Sequence, residues 1–92
     1  MAQDFLQDLE KQHEEAMADT SKQYMVMIAE LPNTPMAEII INPRPNFDVK
    51  VAYYKNAYNE LGILKSNPNV KIVALKFVND MEQAMEYVYN FS

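Results

Sequence analysis

His13 is the only histidine in the chain and the residue that most invites a chemical role, because imidazole can serve as acid, base or metal ligand. Glu10 lies three residues before it and Met17 four residues after it, so a helix would place all three on one face. A carboxylate, an imidazole and a thioether do not match a common divalent-metal site. We therefore interpret His13 as a histidine at the packing edge of a helix and expect no bound metal.

Nucleophilic catalysis lacks its usual residues. The chain has no cysteine, which excludes thiol catalysis, disulfide scaffolds, zinc fingers and iron–sulfur clusters. None of its serines lies in a glycine-rich elbow; they are Ser21, Ser66 and Ser92. Gly62 is the only glycine, so a glycine-rich phosphate loop cannot form. The sequence predicts neither an enzyme nor a cofactor.

Carboxylates recur four residues apart near the N-terminus, as Asp4 with Asp8, Glu10 with Glu14, and Glu15 with Asp19. Glycoside hydrolysis needs two carboxyl groups held across a cleft in different environments, whereas these would share a solvated helix face. Like charges at this spacing weaken a helix slightly. We interpret this face as solubilising, with contact to a partner protein as the alternative through Asp4, Asp8, Glu15 and Asp19.

Charge is distributed unevenly along the chain, whose net charge is −5. Residues 1–41 hold eight acidic and two basic side chains, and residues 79–92 hold three acidic side chains and no basic one. Residues 42–78 reverse this balance, with six basic and two acidic side chains. Acidic ends of this kind could imitate DNA and occupy a DNA-binding protein, which is one alternative function.

The basic middle segment supports the opposite alternative. Its candidate nucleic-acid surface is Arg44, Lys50, Lys55, Lys71 and Lys76, interleaved with the aromatic residues Phe47, Tyr53, Tyr54 and Tyr58. Basic and aromatic side chains on one surface can bind single-stranded RNA or DNA through phosphate contacts and stacking. The competing interpretation is that these cations form salt bridges with the acidic first helix.

Seven methionines and six tyrosines are many for a chain of 92 residues. Tyrosine is favoured at protein interfaces, and methionine adapts to irregular partners. Tyr87, Tyr89 and Phe91 surround the buried stripe expected on the last helix and leave more aromatic surface than one helix face can cover. We expect a homodimer, formed through the first or the last helix, or another protein to cover this surface. A tyrosine-rich core is the alternative.

The elements that would position these residues follow from periodicity. Apolar residues at helical spacing predict a helix over residues 3–20. An apolar run and a β-branched segment, separated by turn residues at 31–35, predict a hairpin of two strands over residues 24–30 and 37–41. A capping box of Thr20 with Gln23 would instead start a second helix over residues 21–31 or extend the first helix.

The second half of the chain alternates helix and strand. Prolines predict extended backbone over residues 42–46, and Asp48 then caps a helix that runs to about Lys65. Residues 70–78 carry apolar side chains on both faces, which predicts a central strand. Asn79 or Asp80 caps a last helix, whose buried stripe is expected to be Met81, Ala84, Met85 and Val88.

These elements predict one α+β domain over residues 1–92, a small three-stranded, mainly antiparallel sheet with helices packed on it in the order α-β-β-α-β-α. The N-terminus lacks the features of a secretory signal, and no apolar run approaches the length of a membrane span. We therefore expect a cytoplasmic protein without membrane contact.

The function we expect is that of a small, acidic, non-enzymatic protein-interaction module: a regulator, adaptor or inhibitor of another protein, acting as a homodimer. Its small size, its acidity, its preference for lysine over arginine and its lack of catalytic residues suggest a bacterial or phage-encoded accessory protein. The alternative is a nucleic-acid-related protein, either a DNA mimic or an RNA- or DNA-binding protein that uses the basic segment 44–76.

Overall fold

The computed structural model describes residues 4–31, 35 and 37–91. Its elements are α1 (Phe5–Ala18), β1 (Tyr24–Glu30), β2 (Ala37–Pro43), a 3-10 turn (Arg44–Asn46), α2 (Phe47–Ala57), β3 (Lys71–Val78) and α3 (Met81–Phe91). This order and the antiparallel three-stranded sheet confirm the predicted α+β fold. Most of the turn expected at residues 31–35, like Ser92, lies outside the described residues.

The strand order is β2–β1–β3, with β1 antiparallel to both neighbours. Residues 25–29 of β1 are all buried, because this continuous apolar run has both of its faces covered. Residues 21–31 therefore do not form a second helix. The prediction that β3 is the central strand is wrong: β3 lies at the edge, and its Lys71 and Lys76 are exposed.

Alternate residues of β1 face two different helical layers. Met25 and Met27 belong to the larger core, which they share with α1 and with Phe47 of α2. Val26 belongs to a smaller core, which it shares with Ala84 of α3. The sheet therefore carries α1 and α2 on one face and α3 on the other.

α2 ends at Ala57 rather than at Lys65, because the chain turns back towards the sheet. Gly62 has a φ of +79°, a left-handed conformation that other residues adopt with strain. Its carbonyl accepts a 2.8 Å hydrogen bond from the Ile72 amide, and residues 62–64 thereby pair with the beginning of β3. Helical periodicity alone did not reveal this return pairing.

The start of α2 also departs from prediction. Residues 44–46 form a 3-10 turn instead of extended backbone, since the fixed φ of Pro45 suits the first turn of a helix. Asn46, not Asp48, is the N-cap of α2. The cap of α3 follows the prediction, because the Asp80 carboxylate accepts a 2.8 Å hydrogen bond from the Gln83 amide.

Candidate functional site

His13 and Asp48 form a pair that joins α1 to α2. The imidazole Nε2 lies 2.9 Å from the Asp48 Oδ1. The His13 side chain is 20% exposed and the Asp48 side chain is 74% exposed, so the pair stands at the protein surface. A catalytic base must lie within hydrogen-bond reach of the proton that it removes. The hydroxyl of Ser21, a possible nucleophile, donates to Asp19 and Asn79 rather than to this pair. The geometry is that of a contact between two helices.

Asp4 and Asp8 both accept hydrogen bonds within α1. Asp4 is the N-cap of the helix, and its carboxylate accepts a 2.7 Å bond from the Gln7 amide. The Asp8 carboxylate accepts a 3.0 Å bond from Nε2 of Gln12. These two members of the proposed partner surface therefore also contribute to the local structure of α1.

Glu15 and Asp19 lie on the exposed part of α1 and beyond its end. The Ser21 hydroxyl and amide donate to the Asp19 carboxylate and lower its pKa below the ordinary value of 3.8. Both acidic residues line a groove of about 440 Å³ that also contains Lys22 and Lys76. The two cations interrupt the acidic surface at this point.

Arg44 stabilises the C-terminal end of α1. Its guanidinium donates hydrogen bonds of 2.7 to 3.3 Å to the carbonyl groups of Ala16, Met17, Asp19 and Lys22. A cation suits this position because the last carbonyls of a helix lack intrahelical partners and carry partial negative charge. Both terminal nitrogens of Arg44 are therefore engaged within the chain.

Two of the candidate lysines face acidic residues of the same chain. Nζ of Lys55 lies 3.7 Å from Glu10, so an ion pair links α2 to α1. Lys71 stands opposite Glu30 in the pairing of β3 with β1. The expectation of salt bridges between the acidic first helix and the basic segment is confirmed for Lys55.

The five candidate cations are distributed over both faces of the sheet. Lys50 and Lys55 belong to α2, and Arg44 lies at the end of α1, in the same layer. Lys71 and Lys76 project from the edge strand β3, and Nζ of Lys76 lies 5.5 Å from the ring centroid of Tyr87 in α3. The structure does not bring these cations together on one surface.

The tyrosines of α2 belong mainly to the core. Tyr54 and Tyr58 are buried, with ring centroids 5.2 Å apart, whereas Tyr53 is 53% exposed. Burial raises the pKa of Tyr54 to about 12, and the nearby hydroxyls and Glu38 add to this effect. Two of the three rings are therefore not available for stacking on nucleic-acid bases.

The three aromatic residues proposed on α3 have different environments. Tyr87 is half-buried, and its hydroxyl accepts a hydrogen bond from the Leu75 amide; burial raises its pKa nonetheless. Tyr89 is 80% exposed and Phe91 is 44% exposed. Only the last two present a large part of their rings to a partner.

The outer edge of β3 is largely covered by the chain itself. Residues 62–64 pair with its first residues. Further along, the Leu75 amide bonds to the Tyr87 hydroxyl and the Leu75 carbonyl accepts a 3.3 Å bond from Nε2 of Gln12. Side chains from α1 and α3 thus occupy backbone groups that would otherwise be free to pair with another strand.

The outer edge of β2 has no such cover among the described residues, since β1 is the only strand there that pairs with it. α3 packs on Val26 and Val78 of the other two strands and leaves Ile39 of β2 40% exposed on the same face. Isoleucines at 39, 40 and 41 are the sequence signal for this region. The sequence predicts that these isoleucines form the second strand of a hairpin, but it does not indicate which edge of the sheet stays open.

α3 extends the apolar surface beside β2. Met81 lines a groove with Pro43, and the helix runs from there towards the Ile39 end of β2. The predicted buried stripe is wrong in part, because Met81 is 43% and Met85 39% exposed, while Ala84 is fully buried. We call the apolar side chains of this region the β2–α3 surface; they are Ile39, Ile41, Met81, Met85 and Tyr89.

Within the described ranges, no three histidine, cysteine, aspartate or glutamate side chains form a metal-binding group. No helix in this part of the chain is long and apolar enough to cross a membrane.

Comparison with protein-family models, with curated proteins and with solved structures finds no match for this chain.

Proposed function

We propose that this protein is a small, non-enzymatic protein-interaction module that binds a partner protein through the β2–α3 surface, as a regulator, adaptor or inhibitor. The observation that carries the proposal is a strand edge of β2 with which no strand of the described residues pairs, next to large apolar side chains that the fold leaves exposed. Ile39, Met81 and Met85 are each about two-fifths exposed. Contiguous exposed apolar surface on a small domain is typical of an interaction site.

Edge and helix offer complementary contacts to a partner. The free amide and carbonyl groups of β2 can add a strand to the sheet, and main-chain hydrogen bonds of this kind supply affinity without demanding a particular sequence. Methionine side chains on α3 can adapt to the shape of what binds. Together they favour an extended partner segment with apolar side chains.

The charge around this surface indicates which charged residues should surround the apolar centre of the partner's binding site. α3 contains no lysine or arginine, and its Glu82 is exposed beside Met81, whereas Glu86 lines a groove with Lys22 and Lys76 on the β3 side. A partner with basic residues around an apolar centre would therefore be attracted and oriented. The distribution of the five candidate cations over both faces of the sheet supports a protein partner over a nucleic acid.

Site-specific photo-cross-linking tests the proposal. A photoreactive phenylalanine analogue is placed at Met85, or at Val49 as a control, and each variant is irradiated in a lysate of the source cells. Val49 is 72% exposed but lies on α2, across the sheet from α3. We expect Met85 to yield a discrete adduct with another protein, which Val49 does not yield and Ile39→Asp abolishes.

Identical adducts from Met85 and Val49 would overturn the proposal, and so would the absence of any adduct at Met85. An adduct with the mass of two copies reports self-association and is scored separately from one with a different protein.

A further inference from the structure

Resting on the proposed function, we propose that the open edge of β2 pairs with the same edge of a second copy when no partner segment occupies it. The two antiparallel β2 strands would join the sheets into one six-stranded sheet around a two-fold axis. This interface differs from the first and last helices, which the sequence favours for self-association.

The hydrogen-bond phase of β2 shows which residues face outwards. The Arg44 amide donates a 2.8 Å bond to the Gln23 carbonyl, which extends the β1–β2 ladder and fixes its alternation. Backbone groups of Ile40 and Asn42 therefore bond to β1, and those of Ala37, Ile39 and Ile41 point away from it. Pro43, next in the outward series, has no amide hydrogen and ends the row of donors.

A register centred on Ile40 pairs all seven residues of one β2 with all seven of the other. Ile39 then stands opposite Ile41 of the second copy, on the face that carries α3. On the other face, Ile40 stands opposite its own equivalent. The exposed Ile39 thus meets an apolar side chain, and each outward amide meets a carbonyl.

The same register also places polar residues opposite each other. Asn42 is 8% exposed, and its Nδ2 is a buried donor without a hydrogen-bond partner among the described residues. Glu38, which is exposed, stands directly opposite Asn42 of the second copy when the strands are centred on Ile40. Two polar side chains, rather than a polar and an apolar one, thus oppose each other at this position of the register.

Shifting the register by two residues removes these matches. In one direction Glu38 faces Ile40 of the second copy, and in the other Asn42 does, so a polar group opposes an apolar one in both cases. Residues 62–64, Gln12 and Tyr87 cover much of the β3 edge, so strand addition would end at two copies. The assembly is therefore a closed dimer.

Cysteine cross-linking tests the register, because the natural chain contains no cysteine. In an Ile40→Cys variant the two thiols face each other across the axis, at a separation typical of disulfides. In an Ala37→Cys variant the two thiols lie near opposite ends of the paired strands. Mild oxidation should cross-link the first at least tenfold faster than the second, and faster than Ser66→Cys in an exposed turn.

Sedimentation of the natural chain provides the second measurement. One strand pair is a small interface, so we expect a reversible dimer whose fraction rises with concentration. Ile39→Lys should abolish it, whereas Val49→Lys, a matched change at an exposed apolar position on α2, should not. A natural chain that stays monomeric at every concentration overturns the dimer, as do equal cross-linking rates at the three cysteine positions.

A chain that is monomeric alone, and whose β2 edge binds only a different protein, is one of those overturning results. The Met85 adduct separates the two proposals, because a monomeric chain that still cross-links a different protein there retains the proposed function without the dimer. A chain that dimerises but yields no such adduct retains the dimer and overturns the proposed function.

Discussion

The Tyr54 hydroxyl lies against the core between α2 and the sheet, close to Tyr58 and to the Glu38 carboxylate. Ionising it would place a negative charge in a poorly solvated site next to another acidic group. The pKa is therefore raised from 10.0 to about 12, with burial as the main cause. A raised pKa in the folded state links the stability of the fold to alkaline pH.

We predict that Tyr54→Phe removes part of the alkaline loss of stability. The contribution of Tyr54 is fully present below pH 10.0 and is lost as the pH rises towards about 12, because the unfolded chain ionises first. The free energy of unfolding of the natural chain should therefore fall relative to that of Tyr54→Phe across this window. Urea unfolding at a series of pH values measures the difference.

Tyr53→Phe is the matched control, since its ring is 53% exposed. It should follow the natural chain throughout. A constant difference between the natural chain and Tyr54→Phe from neutral pH to pH 12 would contradict this explanation.

Arg44 and His13 show why residue types alone did not locate a site. Both are chemically capable, and the sequence places Arg44 in a candidate nucleic-acid surface. In the fold, Arg44 bonds to carbonyl groups at the end of α1, and His13 pairs with Asp48 across two helices. Neither partnership leaves a local sequence signal, because the contacting residues are at least 22 positions apart.

At the scale of elements, the connection between α2 and β3 depends on Gly62. A side chain there would face a φ of +79°, and its Cβ would lie 2.8 Å from the backbone oxygen of Ile72. That close approach comes from the pairing of residues 62–64 with β3, so the conformation of one residue helps to close one edge of the sheet.

We predict that Gly62→Ala lowers the free energy of unfolding by about 1–3 kcal/mol, from left-handed strain and the contact with Ile72. Ser66→Ala, in an exposed turn nearby, should change it by less than about 0.5 kcal/mol. Urea unfolding of both variants measures this. Equal stability of the two would show that residues 62–64 are not held as described.

Element types were largely predictable and their arrangement in the sheet was less so. The run Tyr24–Ala29 and the alternation of residues 70–78 predict strands because each reflects local burial. Which strand is central depends on how all three pair, and β3 has enough apolar residues on both faces to suggest the wrong one. The early end of α2 likewise follows from a long-range contact with Ile72.

At the scale of the molecule, the fold leaves its two sheet edges in different states. Two α-helices, α1 and α2, cover one face of the sheet, whereas α3 alone must cover the other face of all three strands. It covers β1 and β3 and packs on Ile41, whereas Ile39 of β2 stays exposed. The sequence shows those isoleucines but not the helix's position, which is why the β2–α3 surface could be found only in the structure.

Amide hydrogen exchange of the natural chain, resolved by residue, tests most directly whether the open edge of β2 is where another strand binds. In dilute solution we predict fast exchange at Ile39 and Ile41 and protection at Ile40 and Asn42. In concentrated solution, or with the protein identified by cross-linking at Met85, Ile39 and Ile41 should gain protection. If the complex forms while these two amides exchange as fast as before, the edge is not the binding site and the account is contradicted.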